Sequence, residues 1–182
     1  MASRALALFP VLPLLAVVAL ACSGTSSPAS DDDGGPCDQT CQDTHTGVAL
    51  VQLVDQLYNV NLAGKPAGNQ SVTASCPQAG SAVITGTITV DATMTTTVNL
   101  SYVMSGCAVV DNGDNLTFAG TVAEVGTSNA ASEESLEYTS SALQFDGVVA
   151  GLSVNVPGCP VHAADDWTSN PQISGTICGR AF

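Results

Sequence analysis

The chain reads as a mainly β protein in which one N-terminal α-helix packs on a curved antiparallel β-sheet stapled by disulfides. Three observations predict this. Only residues 48–62 place apolar side chains at helical spacing. Beyond Ser71 the sequence is rich in Ser, Thr, Val and Gly and alternates apolar with polar residues, the period of a half-buried strand. Cys37, Cys41, Cys76, Cys107, Cys159 and Cys178 form an even set, as disulfide frameworks require.

The first residues stand outside this fold. Arg4 is the only charge before Cys22, and residues 5–21 are all apolar or proline. A charged start followed by an apolar run ending in small residues is the pattern of a cleaved secretory signal. The run is shorter than the roughly 20 residues a spanning helix needs, and Pro10 and Pro13 would break its first half. Three segments follow: a signal peptide over 1–21, a tether over 22–36 and one domain over 37–182.

The end of the signal, Ala19-Leu20-Ala21-Cys22, resembles a bacterial lipobox, although Leu20 stands one place later than the usual leucine. The resemblance implies that Cys22 becomes the lipidated first residue of the mature chain and anchors it to a membrane. It also explains the cysteine count. The seven cysteines are odd in number, and setting Cys22 aside leaves the even set. Ser23 follows Cys22, where an aspartate would imply retention at the inner membrane, so the resemblance implies an outer-membrane location in the cell envelope.

Residues 23–36 contain no large apolar residue and cannot bury enough surface to offset ordering. As a random coil they reach roughly 20 Å. Asp31, Asp32 and Asp33 are read there as a solvated acidic run rather than a calcium site.

In the helix, Leu50, Leu53, Val54, Leu57 and Tyr58 share one face, with Gln52, Asp55, Gln56 and Asn59 opposite. Asp43, Thr44 or Thr46 would cap its start, with an earlier start near Asp38 as the alternative. Gly64 and Pro66 stop it. Strands are expected over 84–90, 98–104, 116–122, 136–145, 148–156 and 172–178. Asn112-Gly113 marks a hairpin. A short repeat, apolar-x-Gly-Thr-apolar, recurs as ITGTI at Ile84, FAGTV at Phe118 and ISGTI at Ile173. Each glycine falls on the apolar face, which predicts a sheet that curves closely around the helix.

The stretch from Cys76 to Phe182, including ITGTITV, VNLSYVMSGC, LTFAGTV and the closing ISGTICGR, resembles uncharacterised Gly/Thr-rich β lipoproteins of predatory and social, myxobacteria-like soil bacteria. The resemblance implies a source and a fold, and carries no activity.

Composition limits function. The net charge is −13, and only Lys65 and Arg180 are basic after Cys22. Without a basic patch there is nothing to displace counterions from a phosphate backbone, so nucleic acid is not an expected partner. Contact with a membrane would come through the Cys22 anchor or an apolar surface. His45 and His162 are the only histidines, and no G-x-S-x-G, H-E-x-x-H or phosphate-loop motif is present. No catalytic residue, metal ligand set or cofactor is expected. Two polar groups were weighed as metal or ligand sites and read otherwise. Asp111-Asn112-Gly113-Asp114-Asn115 is taken as a hairpin, and His162, Asp165, Asp166 and Trp167 as an exposed loop. Of the possible pairings, Cys159 with Cys178 is preferred because they bracket the last loop. The resulting expectation is a non-enzymatic envelope lipoprotein with a structural or partner-binding role. Its competitor is a carrier of a small hydrophobic ligand or lipid.

Overall fold

A computed structural model describes residues 36–129, 134–166 and 172–182. Residues 36–182 form one compact unit. Cys22, the acidic run at Asp31 to Asp33 and Trp167 lie outside the described residues.

The helix α1 spans Gln39–Asn61, 23 residues. It begins at the earlier of the two expected starts. Asp38 is extended, and its side chain accepts the Cys41 N–H at 2.9 Å, a cap on the first turn. Asp43, Thr44 and Thr46 are therefore not caps but interior residues. Thr44 and Thr46 donate their hydroxyls back to the Thr40 and Gln42 carbonyls. The added turns escape an apolar-periodicity reading because polar Asp43 and Thr46 occupy the buried face. At the far end Leu62 donates its N–H to Tyr58, and Gly64 takes a positive φ.

Eight strands follow in a single open sheet, each antiparallel to the next in chain order. They are β1 (Gly68–Ser75), β2 (Ala79–Val90), β3 (Thr96–Asp111), β4 (Asp114–Ser128), β5 (Glu134–Val149), β6 (Leu152–Asp166), β7 (Gln172–Ile177) and β8 (Arg180–Ala181). The expected boundary between residues 145 and 148 is absent. Gly147 is paired within β5, and the chain turns later, at Ala150-Gly151, where both residues take positive φ. The Asn112-Gly113 hairpin is as expected, with φ of 46° and 92° and Asp111 paired to Asp114. The turn between β2 and β3 is fixed by Asp91, whose carboxylate accepts the N–H groups of Thr93 and Thr95. The Thr93 hydroxyl, which also donates to this carboxylate, and then these backbone bonds hold the Asp91 carboxyl below its ordinary range.

The curvature has a visible cause. Register slips fall between Ala79 and Ser81 in β2, Met104 and Cys107 in β3, Ala119 and Ala123 across β4, and Ser140 and Leu143 in β5. These positions are neighbours from strand to strand, so the bulges form one seam across the sheet. A bulge bends its strand and increases its twist, and four aligned bulges fold the sheet along that line. The repeat glycines act differently from expectation. A Cβ on Gly86 would fall against the Asn99 carbonyl oxygen of the next strand, not against the helix. The constraint is tight strand-to-strand coiling, for which Gly86 has a φ of 139°.

The helix lies on the inner face and packs against the sheet. Leu50, Leu53, Val54 and Leu57 are at most 2 % exposed, in one cluster with Ile84, Leu100, Tyr102, Phe118, Leu143 and Ile177. Three polar ties fix the helix to the sheet. His45 Nδ1 meets Asp114 at 2.6 Å, Arg180 grips Asp43 through two nitrogens at 2.7 and 2.9 Å, and the Tyr138 hydroxyl donates to Asp55 at 2.7 Å. Three disulfides close the fold: Cys37–Cys41, Cys76–Cys107 and Cys159–Cys178, the last being the preferred pairing.

Candidate functional site

The core is not uniformly apolar. Glu124 is 2 % exposed and continues the inward register of Leu116, Phe118 and Val122 along β4. In register it faces Leu100 on one side and Tyr138 on the other. The Tyr102 hydroxyl, from the adjacent β3, donates to the Glu124 carboxylate. From the helix, Asp55 reaches the Tyr138 hydroxyl. Asp165, buried on β6 in register with Leu136, adds a further negative charge near the Tyr138 hydroxyl. Two tyrosine hydroxyls thus serve carboxylates in a low-dielectric interior, where a satisfied polar network fixes one arrangement of the core. Burial first, and then the Glu124 carboxylate, raise the Tyr102 phenol far above its ordinary value. Burial and then Asp55 do the same for Tyr138.

One wall of this network opens to the surface. A cavity of about 230 Å³ is lined by Asp55, Tyr58 and Asn59 of α1, Thr96 and Val98 of β3, Glu124 and Ser128 of β4, and Leu136 of β5. Its lining carries two carboxylates beside the hydroxyls of Tyr58, Thr96 and Ser128 and the Asn59 amide, with no histidine, cysteine or lysine. It can hold water or a small polar or cationic group.

The two polar groups singled out in the sequence fall outside this lining. His162, Asp165 and Asp166 are in strand β6, not in a loop, because the apolar partners Val161 and Ala163 carry the alternation through them. Successive strand residues point to opposite faces, so His162 is exposed while Asp165 is buried, and the sheet separates the pair instead of converging it. Asp114, from the hairpin, is buried. It takes His45 on one oxygen and the Ala150 N–H on the other, which makes it a brace between the helix and two turns. Burial, followed by the charge of Asp114, raises the nearby Asp111 carboxyl. Among the described residues no group of three or more His, Cys, Asp or Glu is placed to hold a metal ion. Asp55, expected on the polar face of the helix, is half-buried. The signal for Glu124 was available: the alternation along β4, taken one step past Val122, puts it inside.

Family models, characterised proteins and solved structures were all compared with the chain, and none matches it.

Proposed function

We propose that this is an exported lipoprotein, anchored through Cys22 in the cell envelope at the outer membrane. Its single domain acts as a non-enzymatic structural or partner-binding module. The observation that carries the reading is the filling of the sheet's inner face. A curved sheet that ferries a hydrophobic ligand needs an apolar hollow, and here Leu50, Leu53, Val54 and Leu57 of α1 occupy that position. The open cavity beside them is polar and carries two carboxylates, a poor lining for an acyl chain. What the domain offers outward is a rigid, braced and cross-linked body with a neutral strand edge.

The test is expression of the full chain, with its own leader, in a Gram-negative host, followed by fractionation and intact mass. The expected product begins at Cys22, carries acyl mass, sediments with membranes and retains no further ligand. Cys22→Ser should release it into the soluble fraction. A soluble wild-type product without acyl mass would overturn the anchor, and a co-purifying lipid within the folded domain would favour the carrier.

A further inference from the structure

We propose that the free edge of β1 is a self-association surface, through which two copies of this chain pair antiparallel about a two-fold axis. The argument begins with the backbone. β1 ends the sheet, and among the described residues nothing pairs with its outer side. Its eight residues pair with β2 in unbroken register, with no bulge to twist the edge away. The sequence Gly68-Asn-Gln-Ser-Val-Thr-Ala-Ser75 has neither charge nor proline. Such a strand presents an open row of donors and acceptors, the template on which another strand adds.

The opposite edge is guarded by a short strand, a charge and two prolines. It ends in a two-residue strand, β8, whose Arg180 is charged and tied to Asp43. β7 covers β6 only from Val161 to Asp166, and the uncovered part of β6 carries Pro157 and Pro160. One edge is blocked and the other is open.

Charge selects the occupant. The chain carries −13, so two copies repel over most of their surface. Within the sheet, every acidic residue falls on β3, β4, β5 or β6, from Asp111 to Asp166, while β1 and β2 carry none. The β1 edge is therefore the long strand margin on which a second copy can approach without like charges meeting. Beside it, Thr73 stands in register with Val83 and Val83 with Val103, and these two valines are 42 % and 49 % exposed. An antiparallel β1–β1′ pair brings the two copies of this neutral row together, and a two-fold contact of one strand with itself is self-complementary. The inference rests on the strand edge alone and stands whether or not the chain is lipidated.

Sedimentation equilibrium on the full exported chain carrying Cys22→Ser tests it without any contribution from an acyl group. A concentration-dependent dimer is expected. Ser71 is exposed at the centre of β1. Ser71→Lys and Ser71→Glu should each weaken dimerisation roughly tenfold by placing like charges across the new strand pair, and mixing the two variants should restore it. Circular dichroism and intact mass confirm that each variant is folded and fully oxidised. A wild-type chain that stays monomeric through the accessible concentrations overturns the proposal. So do charged variants that dimerise as tightly as the wild type, and so does a mixture that fails to recover.

Discussion

Asp43 lies on the inner face of α1 with its side chain 3 % exposed, and its charge is matched by Arg180 arriving from the last strand. The guanidinium is itself pushed further up by this bond. Removing it strands a buried carboxylate whose remaining partner is the Gln39 amide. Arg180→Ala should therefore cost about 1–3 kcal/mol in urea unfolding. Arg180→Lys should recover only part of that, since an ammonium cannot grip both oxygens in one plane. The buried phenols give a pH prediction. Tyr102 and Tyr138 have raised pKa values in the folded chain. The stability they contribute is complete below the unfolded value near 10, and is lost as pH rises beyond it, by about 1.4 kcal/mol per tyrosine per pH unit. Tyrosinate absorbance from these two residues should rise together with loss of the fold. A double Tyr102→Phe, Tyr138→Phe variant should lose that coupling. Tyr102 and its inward direction were legible in the alternation along β3. Glu124 follows in the same way from the alternation along β4, but its bond to the Tyr102 hydroxyl was not legible, because that contact runs diagonally between strands and depends on their register.

At the scale of elements, the apolar stripe of α1 was legible only in its second half, and the start at Asp38 only as one of two alternatives. Residues 48–62 carry the apolar stripe, whereas the first turns bury Asp43, Thr46 and Gly47, and no periodicity scale counts these as inward. Gly47 is buried because the C-terminal Phe182 ring rests on it; an added Cβ would meet that ring. Phe182 is held there by reciprocal backbone bonds with Gly175. Gly47→Ala should thus expel the aromatic ring and destabilise the domain, despite alanine's better helix propensity of about 1 kcal/mol. Adding Phe182→Ala should turn the same substitution neutral or stabilising relative to Phe182→Ala alone, a double-mutant cycle that thermal unfolding can read. Six of the eight strands were legible from period-2 alternation; β1, β8 and the strand ends were not. Gly147 looks like a turn in the sequence, and only its pairing with Leu116 shows that β5 runs through it.

For the molecule as a whole, the three disulfides span sequence separations of 4, 31 and 19 residues. If they act mainly on the unfolded chain, removing them as Cys→Ser pairs should cost about 2 kcal/mol for Cys37–Cys41, about 4 for Cys76–Cys107 and about 3 for Cys159–Cys178. That order of denaturation midpoints is the check. The Cys37–Cys41 pair closes only the first turn of α1, so its loss should leave the sheet intact. Cys76–Cys107 joins the turn before β2 to the bulge in β3, at the seam where the sheet bends.

The sequence by itself determined the class of fold, the single helix, the alternation of most strands, the Asn112-Gly113 hairpin and an even set of six cysteines beyond Cys22. These follow from local spacing and composition, which are properties of the chain before it folds. The tertiary structure decided which strands are edges and which side chains meet. The aligned bulges depend on register between strands. The Asp43–Arg180 and His45–Asp114 contacts join residues far apart in the chain. Only closure of the meander over the helix brings such residues within hydrogen-bond reach, and no local pattern encodes that distance.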